Sequence, residues 1–510
     1  MQKTSNRLGN LFTLFPYELW LIIIVAFFLR IYRLGYHDLW YDEIITIFKL
    51  PNLGFLRIWN PPLYFAILAG WVKIFGFSEI SLRFPSLLFS LACIPIIFLL
   101  GKELFSRSVG LYATLIMALS PFHLWYAQEA RAYSMMLFLS LLSAYFQFLF
   151  ITRKQYKFLY WCVISSMLGV YTHPYYIFFV IAQFICCFIC SREKWSIKMF
   201  LVSLLIPLSF IPLLNKFWVR LSYVRMAYWI PSPTWKSFLT TLENFSLGYN
   251  SHLPTYIAFD ILSLILFIAI VWLIKQKKEL RFGLIFCFVL FVAPLLLAFI
   301  FSKLVASIYL DRGLIITTPY YYLILGLGIS VFRKRIIKLL IVIFTFLLLI
   351  IGIYGFLNDW MPTKEIHHFG TPLKKPIKPI VKFISENAGP NDIIAFTNDS
   401  IALTFLWYSQ KRDIYSLKKL KDDPGSYRFF FGPQDLVPSY KLPRRENKFN
   451  VPLHKINNLE FKRLWVLSGS FLRDGNLDKN CSIVKKWLDE NFKLELKKEF
   501  YGMWIYRYTQ

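Results

Sequence analysis

A series of long apolar runs, such as Leu339 to Phe356, separated by short basic connections, most limits what this 510-residue chain can fold into. A helix rises about 1.5 Å per residue, so about 20 such residues cross a hydrocarbon core roughly 30 Å thick. Hydrophobic residues make up 57% of the chain and charged residues 17%, with a mean hydropathy of +0.51. A soluble globular protein needs far less apolar surface, so the bilayer is the expected solvent for most of the sequence.

Eleven spans are expected, at about 17–31, 82–100, 109–124, 132–151, 158–172, 175–190, 198–214, 256–274, 282–301, 312–332 and 338–357. The connections 101–108, 152–157, 191–198, 275–281 and 333–338 collect sixteen Lys and Arg residues, which marks them as cytoplasmic. The stretch Pro62–Phe75 opens with Pro61-Pro62 and ends at Gly76. Counted as a span it would send all sixteen basic residues outside, so it is read as a helix lying on the membrane surface. The run 17–29 leads into polar sequence without a small-residue cleavage site, and reads as the first transmembrane helix rather than a cleaved leader.

Residues 1–357 thus form a multi-spanning, all-α membrane domain with a cytoplasmic amino terminus. Residues 358–510 turn polar, and helix and strand patterns at 377–387, 393–397, 464–467 and 481–490 suggest an extracytoplasmic α/β domain. The net charge of +28 sits in clusters between apolar runs rather than on one face, which excludes nucleic acid as a partner and points to membrane lipids. Six of the seven cysteines lie in apolar runs, so no disulfide framework is expected, and Cys186, Cys187 and Cys190 read as packing residues.

Only twelve acidic residues precede Asn358, and those near apolar segments on the outer side ask for a reason. Asp42 and Glu43 follow Trp40 and Tyr41 and point in different directions on any regular element. A carboxylate partly withdrawn from water yet reachable by a hydroxyl suits a general base, and Asp42 is the candidate, with Glu43 beside it. A second cluster, Tyr126, Gln128, Glu129 and Arg131, stands between two spans, where a Glu129–Arg131 pair across a helix start is the lesser alternative. Lys216, Arg220 and Arg225 recur at four- and five-residue spacing in an outer loop, suited to a lipid phosphate or to anionic headgroups. Arg312 adds a phosphate candidate, and His173 and Trp40 are candidates for substrate contact. No glycine-rich phosphate loop, Cys–His zinc spacing or nucleophile elbow is present.

The segments Leu39–Glu43, Pro61–Phe65, Gly76–Ser86 and Tyr126–Tyr133 together resemble polytopic glycosyltransferases of the GT-C fold that use polyprenyl-phosphate sugars. Protein O-mannosyltransferase relatives and the transferases that modify lipid A and lipopolysaccharide belong to this group. The resemblance covers about the first 150 residues by motif and the rest by topology. It implies that Asp42 takes the place of the catalytic aspartate and that Arg131 and Arg312 lie near the donor phosphate. Two positions depart from the pattern: Asn60 stands where many relatives carry His, and Gly313 where they often carry Tyr. No cofactor is required by these residues, and a divalent metal stays open.

The expected activity is sugar transfer from a polyprenyl-phosphate donor to a glycan, lipid or protein acceptor on the outer face of the plasma membrane, with inversion at the anomeric carbon. The rival class is a polytopic transporter or lipid flippase of envelope biogenesis. Charges gathered on one face and no evident internal repeat favour the transferase.

Overall fold

The computed structural model describes residues 15–50, 61–190, 197–227, 230–360, 376–389, 392–396, 399–409, 429–431, 462–469, 479–500 and 503–510. The chain divides into two compact units, one of residues 1–34, 53–76 and 80–368, the other of 35–52, 77–79 and 369–510. The segment holding Asp42, expected within the membrane domain, groups with the C-terminal unit.

In the first half of the chain the helices are α1 (Tyr17–Ile31), α2 (Tyr41–Lys49), α3 (Leu63–Phe75), α4 (Glu79–Leu104), α5 (Arg107–Leu119), α6 (Pro121–Ala127), α7 (Tyr133–Arg153), α8 (Tyr156–Val170) and α9 (Tyr176–Cys190). There follow α10 (Ile197–Phe210), α11 (Leu214–Ala227), α12 (Trp235–Leu247), α13 (Leu253–Gln276), α14 (Leu280–Leu304), a 3-10 stretch (Asp311–Thr317), α15 (Thr318–Val331) and α16 (Arg335–Leu357). Among the described residues seven helical stretches are long and apolar enough to cross a membrane, or eight if α5 and α6 act as one bent span. The eleven expected spans therefore divide into seven full-length helices, the bent pair, and the three 15-residue helices α1, α8 and α9. Helix α3, at 13 residues, reaches only about 20 Å, too short for the core.

The bend of 59° between α5 and α6 has a local cause. Pro121 brings no N–H to continue α5, and Ser120 starts α6 by accepting the His123 N–H at 3.4 Å. The break leaves carbonyls of α5 without helical donors, and Arg30, fully buried on α1, supplies them. Its guanidinium donates to Ala118 O at 3.0 Å, Met117 O at 3.4 Å and Ser90 Oγ at 2.8 Å. With the Ala26 carbonyl at 3.2 Å as a fourth acceptor, fixed oxygens offset much of the cost of burying this charge.

The second unit carries a mixed five-stranded sheet in the order β2-β1-β3-β5-β4, formed by β1 (Asp392–Phe396), β2 (Phe429–Phe431), β3 (Arg463–Gly469), β4 (Lys493–Phe500) and β5 (Met503–Thr509). Its helices are α17 (Lys378–Asn387), α18 (Asp399–Ser409) and α19 (Lys479–Asn491), besides α2. The period of two divides each strand between two cores. Ile394, Phe396, Trp465 and Leu467 join Ile380, Ile384 and Phe405 on one face. Ala395, Leu464 and Val466 meet Leu488 on the other. The expected strands and helices at 377–387, 393–396, 464–467 and 481–490 are present, and Thr397 lies outside the described residues. The hairpin β4–β5 was not anticipated, since Lys493, Glu495, Lys497 and Lys498 mask β4, an edge strand that such charges keep from pairing further.

Candidate functional site

Within the second unit, the acid-bearing segment begins with a sharp division of labour. Glu43 is fully buried at the third position of α2, and its Oε2 accepts the Trp40 N–H at 3.2 Å, closing the helix start. Asp42, half-buried one position earlier, lies in the first turn, where the helix dipole favours an anion. Thr46 Oγ1 donates to the Asp42 carbonyl at 2.8 Å, which secures its backbone. Asp42 thus has the partial exposure a general base needs, whereas Glu43 serves the helix.

The segment ahead of α2 is tied down by Asp38. This buried carboxylate accepts the N–H groups of Ile377 at 2.8 Å and Lys378 at 2.9 Å, capping α17 from a distant part of the chain. Lys378 Nζ bridges Asp38 Oδ1 at 3.0 Å and Glu79 Oε1 at 2.9 Å. Tyr408 O–H donates to Glu79 Oε1 at 3.1 Å and accepts the Leu39 N–H at 2.8 Å. Burial works against the Lys378 charge, but the bonds to Glu79 and Asp38 outweigh it and hold the ammonium above its usual pKa. Burial pushes the Tyr408 phenol up as well.

Within the first unit, the segments that carry the resemblance converge. Tyr64 O–H lies 3.0 Å from Ser86 Oγ, which donates to Arg131 O at 3.1 Å. The half-buried Arg131 guanidinium carbon stands 5.7 Å from the Tyr133 ring centre. Tyr133 packs on Tyr126 at 5.1 Å and on His173 at 5.5 Å. Tyr126 and Tyr249 hydroxyls meet at 2.5 Å, and Tyr249 also bonds Asp311. Asp311 accepts Asn244 Nδ2 at 2.6 Å and the Arg312 N–H at 2.7 Å. Asp311, Glu129 and Arg312 all lie within electrostatic reach of the Tyr126 hydroxyl. Arg131, Arg312, Tyr126 and His173 therefore belong to one patch at one end of the helices, in which Tyr126 and Tyr133 are buried and Arg131, Arg312 and His173 are half-buried, a setting able to hold an anion at its open side.

Other candidates have local duties. The Gln128 amide donates to Arg30 O at 3.0 Å and Tyr32 O at 2.7 Å, finishing α1, and Glu129 Oε1 accepts Trp125 Nε1 at 2.7 Å. Trp40 is half-buried at the start of α2. Lys216, Arg220 and Arg225, expected in an outer loop, all lie on α11. That helix packs through Leu221 and Val224 on Ala306, and exposed Arg225 donates to Val305 O at 3.3 Å. The Arg220 side chain and Asn60 lie outside the described residues.

Gly313, the departure noted beside Arg312, has a steric reason. A Cβ there would sit 2.4 Å from a Tyr175 ring carbon, so the ring of a neighbouring turn fills the space. Tyr175 O–H in turn bonds Ile308 O. Sequence reasoning missed Asp311, Asn244 and Tyr249 as members of the patch. Asp311 was visible as one of twelve acids, but nothing local joins it to Asn244, 67 residues away. Among the described residues no three His, Cys, Asp or Glu side chains gather as a metal ion would require.

The fold is that of a multi-pass membrane protein of the GT-C type. Residues 60–218 match the family model described as dolichyl-phosphate-mannose-protein mannosyltransferase. Similar solved structures include ArnT from Cupriavidus metallidurans in the apo state, with TM-score 0.63, 10% identity, and coverage of 96% of this chain and 97% of that one. The same protein bound to undecaprenyl phosphate aligns with TM-score 0.59 and 12% identity, at 96% and 97% coverage. The oligosaccharyltransferase AglB from Archaeoglobus fulgidus, in complex with an inhibitory peptide and a dolichol-phosphate, aligns with TM-score 0.51 and 11% identity over 96% of this chain and 74% of that one. A protein of Aquifex aeolicus (strain VF5), described only as uncharacterized, is 26% identical over 298 residues, 53% of this chain. The match spans 58% of that relative's length.

Proposed function

We propose that this protein is a membrane glycosyltransferase that moves a sugar from a polyprenyl-phosphate donor to a glycan, lipid or protein acceptor, at the outer face of the plasma membrane. The observation that carries this reading is the mannosyltransferase family match over 60–218, the stretch that supplies Tyr126, Arg131 and His173 to the patch. The transporter reading loses ground to this match and to the fold.

In the proposed reaction Asp42 takes the proton from an acceptor hydroxyl while the hydroxyl oxygen attacks the anomeric carbon. The bond from that carbon to the phosphate oxygen breaks, the electron pair leaves with the polyprenyl phosphate, and the anomeric centre inverts. Arg131 and Arg312 offset the charge that develops on the departing phosphate, the larger expected contribution, and the rings of Tyr126, Tyr133 and His173 hold the group in place. Lys216, Arg220 and Arg225 on α11 draw anionic headgroups or the donor toward the membrane surface. No step is assigned to a metal.

The test is incubation of purified protein with labelled undecaprenyl- and dolichyl-phosphate sugars and envelope glycolipid or peptide acceptors, followed by product extraction. Wild-type protein should yield a labelled product and D42N none, at unchanged melting temperature. Turnover retained in D42N rejects the assignment of the base. A reporter fused after Gln510 should read extracytoplasmic, and a cytoplasmic signal overturns the orientation.

A further inference from the structure

We infer that the C-terminal α/β unit positions the proposed base, with Lys378 and Tyr408 as the positioning residues. The inference rests on the transferase reading for its catalytic consequence, but its structural part stands on contacts within the second unit alone. Asp38, Leu39 and α2 span only a few residues on either side of Asp42, and each is held by the C-terminal part of the chain. Asp38 carries two N–H bonds and an ion pair from α17. Leu39 gives its N–H to Tyr408 on α18, and α18 packs against α2 itself.

The arrangement has the form of a clamp. Lys378 joins Asp38 and Glu79, two carboxylates far apart in sequence, and its ammonium lies 5.1 Å from the Tyr408 ring centre. Tyr408 then uses its hydroxyl twice, as donor to Glu79 and as acceptor from Leu39. Asp38 and Glu79 are buried while the Lys378 side chain is 45% exposed, so the carboxylate ends are fixed by the protein and the ammonium reaches them from the surface. Only Trp40 and Tyr41 separate Leu39 from Asp42, so release of Leu39 lets the start of α2 shift. A displacement of about 1 Å in a reacting group is enough to slow a reaction on the order of 100-fold.

Y408F and K378M remove the clamp's polar atoms while keeping the bulk of each side chain, and K378R restores a cation. The first measurement is hydrogen exchange of the peptide covering residues 37–46, read by mass spectrometry in detergent. The second is the split of kcat and KM with the labelled polyprenyl-phosphate sugar that wild-type protein turns over. Expected in Y408F and K378M are faster exchange confined to 37–46, roughly a 10- to 100-fold lower kcat and an unchanged donor KM, with K378R recovering most of the rate. Wild-type exchange and wild-type kcat in Y408F overturn the inference, as does a loss that K378R fails to recover while Y408F stays fully active. If K378M does not fold, Y408F alone decides. Faster exchange together with an active D42N would leave the clamp standing and sink the transferase assignment of Asp42, so the two failures are distinct.

Discussion

Replacing Gly313 with Ala tests whether the Arg312 backbone is placed by contact with Tyr175. The added Cβ would lie 2.4, 2.5 and 2.6 Å from three carbons of the Tyr175 ring. Carbon atoms pack best at about 3.5 Å, so the ring must retreat by about 1 Å. That movement also strains the bond from Tyr175 O–H to Ile308 O. Overpacking costs about 1–3 kcal/mol and a weakened hydrogen bond about 1 kcal/mol, so G313A should destabilise the protein by about 2–4 kcal/mol. The measurement is a double-mutant cycle on detergent-solubilised protein, followed by denaturant unfolding of wild type, G313A, Y175A and G313A/Y175A. On the Y175A background the clash has no second partner, and G313A should cost almost nothing. Additivity of the two substitutions within about 0.5 kcal/mol would refute the steric account and with it the explanation of why glycine follows Arg312.

Arg131→Lys and Arg312→Lys keep the charge but lose the planar fork, and should each slow transfer about 10-fold or more while leaving melting unchanged; full activity in both would remove them from the phosphate. E43Q should unfold at a lower temperature, by about 1 kcal/mol of lost capping, because Glu43 closes the start of α2; an unaltered melting curve would argue against that role. Asp392 is buried, yet its bonds from Trp465, Arg463 and the Gly389 N–H hold its carboxyl below the ordinary value of 3.8. A depressed carboxyl stabilises the folded state above its unfolded pKa and loses that effect as pH falls through the folded one, so unfolding should steepen below about pH 4. D392N should be less stable at neutral pH and lack this acid step, as followed by tryptophan fluorescence on acid titration.

Much of the membrane part was legible because its signal is local. Apolar runs of set length and basic loops state where helices lie, and among the described residues seven of the expected spans, or eight with the bent pair, coincide with helices long and apolar enough to cross. The α5–α6 break was not seen, although Ser120-Pro121 marks it, because the run reads as continuous in hydropathy and the Arg30 that satisfies it lies about 90 residues earlier. In the C-terminal part, β1 and β3 stood out as buried apolar strands, while β4 hid behind its lysines at the sheet edge.

The candidate residues divide along the same line. The sequence by itself determined that Asp42 and Glu43 are adjacent acids beside interfacial aromatics, and that Arg131 and Arg312 are cations at the ends of apolar helices. That Glu43 is the acid that closes the start of α2, while Asp42 stays half-buried, is a matter of which carboxylate faces the Trp40 N–H, and packing decides that. Only the tertiary structure joined Tyr126, Tyr249, Asn244 and Asp311, whose hydrogen bonds cross up to 123 residues of chain. The same holds for the clamp from Asp38 to Lys378 and Tyr408, which spans more than 330 residues. Helix periodicity and charge bias are short-range quantities, whereas a hydrogen bond between distant segments depends on how whole elements pack, and no window along the chain contains both partners.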